Sequence, residues 1–142
     1  AKLNRKAAEV MACFPVNACT DVTGFGLLGH IYEMASGSKV NIKIAANAVP
    51  LLPEAAEAAK MGLVPAGAYA NRGYLSTVEF AQAVPENIRD LCYDPQTSGG
   101  LLISIPADRA ASLLDVLHKA GVIEAAVIGE ITTHGKGEIY VY

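Results

Sequence analysis

Tryptophan is absent from this sequence, and charge is sparse: Asp, Glu, Lys and Arg make up 18% of its 142 residues. Apolar residues, glycine not counted, make up 52%. A disordered chain combines low apolar content with high charge, so that class is excluded. Long uncharged runs are missing too. The longest, Pro95 to Ala107, is shorter than the roughly 18 residues of a membrane-spanning helix, and it is broken by a Gly pair and bounded by prolines. The opening Ala1-Lys2-Leu3-Asn4-Arg5-Lys6 lacks the continuous apolar stretch of a secretory signal. Together these features predict a soluble, intracellular chain that neither spans nor binds a membrane. Basic clusters are lacking as well. Eleven Lys and Arg are scattered among 14 Asp and Glu, for a net charge of −3. A nucleic-acid footprint would be basic and concentrated, so direct nucleic-acid binding is not expected. The three cysteines, Cys13, Cys19 and Cys92, are odd in number and fit neither a disulfide framework nor a C-x-x-C motif. They are expected to be small buried apolar residues in a reducing compartment.

What is present is the material of one mixed domain. The length fits a single unit, since ~100–200 residues per domain is usual. Leu3 to Phe14 reads as a helix capped at Asn4 and closed by Pro15. Val16 to Val22 can be extended. A second helix opens at Gly24-Phe25-Gly26 and runs to about Ser36, with Leu27, Leu28, Ile31, Met34 and Ala35 at helical spacing and Gly37 as its stop. Val40 to Ile44 alternates as a strand does. Pro53 to Met61 is a helix with Pro at its first position, and Leu63 to Gly73 reads as a loop. Ser76 to Phe80 is a short strand, Glu86 to Cys92 a short helix, Asp94 to Gly100 a dense turn, and Leu101 to Ile105 a strand. Ala107 to Ala120 is an amphipathic helix stopped by Gly121; Ala125 to Ile131 and Glu138 to Tyr142 are strands that the turn at His134-Gly135-Lys136-Gly137 could join as a hairpin. The order predicts an α+β fold, a layered mixed or antiparallel sheet packed with helices, partly ferredoxin-like in its last forty residues.

Candidate chemistry concentrates in Cys19-Thr20-Asp21-Val22-Thr23-Gly24-Phe25-Gly26-Leu27-Leu28-Gly29-His30. The Gly24-x-Gly26-x-x-Gly29 spacing imitates a dinucleotide fingerprint. That fingerprint requires an acidic residue some 20 positions on, at the end of the next strand, and Ala45, Ala46 and Asn47 supply none. Two readings of Asp21 and Thr23 remain. Either one of them caps the helix, or Asp21 helps hold Mg²⁺ against phosphate oxygens beside a Gly-rich helix start. One carboxylate is not a Mg²⁺ site, so the second reading needs further ligands from elsewhere. The turn Asp94-Pro95-Gln96-Thr97-Ser98-Gly99-Gly100 could line a phosphate cleft or merely feed the next strand. His30 reads as a core or boundary residue and Arg72 as a solvated cation. No Ser–His–Asp or Cys–His arrangement is visible.

Two long strings, Thr20-Asp21-Val22-Thr23-Gly24-Phe25-Gly26-Leu27-Leu28-Gly29-His30 and Asp94-Pro95-Gln96-Thr97-Ser98-Gly99-Gly100-Leu101-Leu102, resemble the C-terminal half of the selenophosphate synthetase (selenide, water dikinase) family. Ala125-Ala126-Val127-Ile128-Gly129, Ala48-Val49-Pro50-Leu51-Leu52 and Ala70-Asn71-Arg72 extend the resemblance to roughly Leu3–Thr132. It implies an aminoimidazole ribonucleotide synthetase-like C-terminal fold, with residues 1–142 forming one domain of a longer two-domain enzyme. That enzyme converts ATP, selenide and water to selenophosphate, AMP and orthophosphate, needs Mg²⁺, works as a cytoplasmic homodimer, and supplies selenium for selenocysteine. By that likeness Asp21 is a Mg²⁺ ligand, and Thr23, Gly24, Gly26, Thr97, Ser98 and Gly99 line the ATP cleft. The family's catalytic Cys or selenocysteine, its Lys and its phosphate loop have no counterpart in this chain. No catalytic residue is therefore expected here, and the isolated chain is expected to be inactive. The alternatives are the C-terminal domain of another ATP-using relative (aminoimidazole ribonucleotide synthetase, thiamin-phosphate kinase, a hydrogenase maturation protein) or a stand-alone module that binds a ligand without catalysis.

Overall fold

The computed structural model of the chain describes residues 2–50, 53–61, 68, 71–73, 75–93 and 100–142. Helix α1 (Lys2–Met11) leads into β1 (Ala18–Asp21), then α2 (Gly26–Gly37) and β2 (Val40–Ile44). A 3₁₀ turn (Ala46–Ala48) precedes α3 (Pro53–Lys60), β3 (Val78–Phe80) and α4 (Glu86–Cys92). The chain then forms β4 (Leu101–Ser104), α5 (Ala107–Lys119), β5 (Gly129–His134) and β6 (Ile139–Val141). The expected α+β class is what is observed.

Two sheets divide the strands. β1 and β4 form an antiparallel ladder running from Ala18 opposite Ser104 to Asp21 opposite Leu101. The other four strands form a mixed sheet in the order β3-β6-β2-β5, in which β2 is antiparallel to β5 and parallel to β6, and β6 is parallel to β3. The apolar spacing of α2 explains its place. Leu28 and Ile31 are fully buried and join Ile44, Ile139 and Val141 in the larger core. Burying each such side chain is worth roughly 1.5–3 kcal/mol. A second, smaller core gathers Ala7 of α1 and Leu113 and Leu117 of α5, with Leu101 and Ile103 packed against it. Leu102, between those two, packs on the larger core instead. The period-2 alternation of β4 thus ties the β1–β4 ladder to both cores.

Several expectations are corrected. The last two strands do not pair as a hairpin, because β2 lies between them. Asn41, near the start of β2, holds the intervening turn: its Oδ1 accepts the Glu138 N–H at 3.0 Å, and its carbonyl accepts the Thr132 hydroxyl at 3.3 Å. With β2 on one side and β3 on the other, β6 buries both Ile139 and Val141 in the interior of the sheet. β5 begins four residues later than its apolar run suggested. It is an edge strand, so pairing with β2 does not require an apolar pattern, and its residues from Glu130 to His134 are exposed. The left-handed turn after α2 is made not by Gly37, which ends the helix, but by Lys39 at φ 55°. Residues 71–73, expected in a loop, are helical.

Candidate functional site

Asp21 is the last residue of β1, and its side chain is exposed at the end of the ladder. Val22 follows with its side chain buried, and its N–H donates to the Gly100 carbonyl at 2.9 Å. The chain then turns through exposed Thr23, Gly24 and Phe25 into α2. Helix capping does not account for Asp21 or Thr23. Phe25 occupies the cap position and no side chain caps the helix; the Gly26 N–H instead donates to the Thr23 carbonyl at 2.9 Å.

The three glycines of the motif do different work. Gly26 has φ +73°, and a Cβ there would lie 2.7 Å from the Tyr93 carbonyl oxygen, so only glycine fits. Gly29 leaves room for the Phe25 Cβ, 2.6 Å from where its own Cβ would be. Among the described residues a Cβ on Gly24 would meet nothing within 4 Å, so their packing does not demand this glycine.

His30 reaches back from the first turns of α2. Its Nε2 accepts the Thr23 N–H at 3.0 Å and lies 3.1 Å from the Thr23 hydroxyl. The Phe25 ring meets it edge-on, with centroids 5.9 Å apart. Asn71 acts from the other side: its Nδ2 donates to the Gly24 carbonyl at 3.2 Å and to the Tyr93 carbonyl at 2.8 Å. The two motifs are therefore brought together. The Asp21–Gly26 turn is tied to Gly100 through Val22 and to Tyr93 through Asn71, so both flanks of residues 94–99 are attached to it. Thr97, Ser98 and Gly99 themselves lie outside the described residues.

Charge around the turn is already spoken for in part. Arg72 is not a lone solvated cation, because one guanidinium nitrogen contacts Glu86 at 2.5 Å and Asp90 at 2.8 Å. Those carboxylates push its pKa further up. Cys19, two residues before Asp21, is exposed rather than buried as expected, and so is Cys13; only Cys92 is buried. Partial burial, and then the charge of Asp21, push the Cys19 thiol up, while burial pushes Cys92 up to about 12. Neither is poised as a thiolate nucleophile near neutral pH. Among the described residues no three His, Cys, Asp or Glu side chains are grouped to hold a metal ion. Asp21 therefore fits a magnesium site only as one contributor to a set completed from outside these residues. A separate groove of about 680 Å³ crosses β2, β3 and β6, with Lys43, Glu79 and Tyr140 in its lining, and includes none of these site residues. No helix among the described residues is long and apolar enough to cross a membrane.

Sequence reasoning singled out the Asp21 turn but not the two residues that hold it. His30 was legible as a core residue, and it is buried. Its bond to Thr23 was not, although the seven-residue separation across a glycine turn could have suggested it. Nothing in the sequence pointed Asn71 at Gly24.

A family model described as AIR synthase related protein, C-terminal domain, matches residues 1–142. Selenide, water dikinase 2 of Peptoclostridium acidaminophilum is 44% identical over 141 residues, 99% of this chain and 41% of that protein. Selenide, water dikinase of Pelobacter propionicus is 52% identical over 130 residues, 91% of this chain and 37% of that protein. The chain thus spans about two fifths of the length of these curated relatives. Among solved structures, hydrogenase maturation protein HypE aligns with a TM-score of 0.57 at 21% identity, covering 96% of this chain and 37% of that one. HypE in complex with ATP aligns with a TM-score of 0.52 at 20% identity, covering 89% and 32%. At that identity the likeness is one of fold.

Proposed function

This chain belongs to the AIR synthase related protein C-terminal domain family, and from that premise we propose that it is the C-terminal part of a longer selenide, water dikinase. In the parent protein the substrates are ATP, selenide and water, and the products are selenophosphate, AMP and orthophosphate. The reading also makes the parent a cytoplasmic homodimer whose N-terminal part supplies the nucleophile and the remaining metal ligands. Sequence identity favours this over a hydrogenase maturation protein, because the dikinases share 44% and 52% with the chain where HypE shares 21%. ATP as substrate fits either relationship, since one HypE structure is described as an ATP complex.

The observation that carries the role of this chain is the placement of Asp21. It is exposed at the end of a two-stranded ladder, next to a glycine turn with an open face, and both flanks of the second motif are bonded to that turn. Asp21 would serve as a magnesium ligand, with Thr23, Gly24 and Gly26 forming one wall of the nucleotide cleft and Thr97, Ser98 and Gly99 lying beside them. Magnesium, when bound, neutralises phosphate oxygen charge and fixes the transferring groups in place. What this chain does is present one carboxylate and a backbone that polyphosphate can approach closely, on a turn held by His30 and Asn71. It does not bring a nucleophile.

The test is Asp21→Asn in the full-length parent. AMP and orthophosphate formation should fall by at least about 100-fold, because losing a ligand costs no less than losing its outer-shell support. The melting temperature should stay within about 2 °C, since Asp21 is exposed and makes no ion pair among the described residues. The isolated chain, assayed alongside, should form no AMP. Wild-type turnover in the variant would remove Asp21 from the metal site.

A further inference from the structure

His30 is a costly residue to keep where it is. Its side chain is only 7% exposed, its Nδ1 has no hydrogen-bond partner among the described residues, and a Glu33 carboxylate oxygen, Oε2, lies 3.5 Å away. An aliphatic side chain in a core position would avoid an unpaired buried nitrogen. What the imidazole gives in return is one contact. A backbone N–H can only donate, so Nε2, 3.0 Å from the Thr23 nitrogen, must be the acceptor. The ring is then the neutral tautomer with its proton on Nδ1, facing Glu33.

That contact falls on the Thr23 amide, which nothing else among the described residues holds, although the Thr23 carbonyl accepts the Gly26 N–H. Val22 is anchored by its buried side chain and by Gly100, Gly24 by Asn71, and Gly26 by glycine-only packing on Tyr93. Thr23 lies between those anchors, exposed and two residues from Asp21, and its N–H and hydroxyl both meet His30 Nε2. Without that acceptor, the peptide between Val22 and Thr23 can rotate, and the exposed Thr23 backbone and hydroxyl beside Asp21 move with it, while Asp21 itself stays paired with Leu101 in the ladder. We propose that His30 is a positioning residue: its Nε2 holds the Thr23 amide and so fixes the Thr23 wall of the turn beside Asp21, against which the metal-bound nucleotide would sit. The proposal rests on the reading of Asp21 as a magnesium ligand.

Four variants of the full-length parent test it: His30→Leu, His30→Gln, His30→Asn and Asp21→Asn. Metal affinity is read directly, by electron paramagnetic resonance titration with Mn²⁺ in the presence of ADP, and the melting temperature is recorded beside it. His30→Leu should weaken Mn²⁺ binding in the presence of ADP about tenfold, the low end for losing a group that supports a site without touching the metal. His30→Gln places an amide oxygen within reach of the Thr23 N–H and should restore affinity to within about threefold of wild type, the rest being the looser fit of a flexible side chain. His30→Asn is as polar but too short to reach, and should bind Mn²⁺ as weakly as the leucine variant. If His30→Leu does not fold, the Gln and Asn pair decides alone. Equal Mn²⁺ affinity in the Gln and Asn variants, whatever their melting temperatures, would overturn the proposal. Should Asp21→Asn weaken Mn²⁺ binding while all His30 variants bind normally, the positioning role falls and the metal reading stands. Should Asp21→Asn leave Mn²⁺ binding unchanged, the metal reading falls and takes the positioning role with it.

Discussion

Gly24 and Gly26 stand two residues apart and are chemically identical, yet their surroundings predict opposite behaviour. Alanine at Gly26 would need a left-handed backbone, which costs an L-residue about 1–2 kcal/mol, and its Cβ would press on the Tyr93 carbonyl at 2.7 Å. Gly26→Ala is therefore expected to lower stability by at least roughly 2 kcal/mol, read as a shift of the urea midpoint. Alanine at Gly24 meets nothing within 4 Å, so Gly24→Ala should leave the midpoint unchanged. In the full-length parent it should instead weaken ADP binding, because the added methyl projects from the exposed turn that the proposed cleft uses. A midpoint shift in Gly24→Ala, or none in Gly26→Ala, would reverse these assignments. The sequence showed a Gly-x-Gly-x-x-Gly string. It could not show that one glycine answers to Tyr93, one to Phe25, and one to no neighbour among the described residues.

Among the elements, α4 is fastened to the helical residues 71–73 by ion pairs. Arg72 contacts Glu86 and Asp90, and Asp90 is only 13% exposed. Its neighbour Asn71 bonds the Gly24 turn and the residue that follows α4. Arg72→Ala should cost about 1 kcal/mol, at the upper end for a partly exposed pair. A double-mutant cycle with Asp90→Ala should recover a coupling of about 0.5–1 kcal/mol. No coupling would mean that the guanidinium is merely resting against α4. These contacts were illegible because Arg72 and its partners are 14 and 18 residues apart, with no periodicity to relate them. By contrast α4 itself, opening after Pro85 and ending at Cys92, was legible to the residue, since local capping and apolar spacing define it.

At the scale of the whole molecule, the larger core carries groups that resist ionisation. Burial pushes the Cys92 thiol from its ordinary value near 9 to about 12. Burial likewise raises the Tyr93 phenol to about 12, with Arg72 opposing and the charges of Cys92 and Asp90 adding to it. Both groups are neutral in the folded chain well above the pH at which they ionise when unfolded. Their contribution is fully present below about pH 9 and is lost as pH rises toward 12. Thermal unfolding followed at pH 8, 9, 10 and 11 should show a melting temperature that falls steadily above pH 9. Cys92→Ala should flatten the first part of that fall, between pH 9 and 10, where the thiol ionises ahead of the phenol in the unfolded chain. An unchanged slope in the variant would place the cause elsewhere.

Local interactions account for the part of the architecture that could be read residue by residue. Helical spacing, prolines at first turns and period-2 alternation located most elements within a few residues, and the composition and order fixed the α+β class. The sequence also marked the Asp21 turn, because a run of Thr, Asp and Gly before an apolar helix is a local pattern. Long-range packing sets which strands pair. The turn before β6 would allow a hairpin, but Ile42 and Ile44 of β2, distant in sequence, bury themselves between β5 and β6. Long-range pairing alone shifted the strand expected over Ala125–Ile131 to Gly129–His134, since an edge strand takes its order from its neighbour's hydrogen bonds and not from its own apolar pattern. The same holds at the candidate site. Asp21 was readable, whereas the hold of His30 and Asn71 on the turn depends on distances that only packing sets.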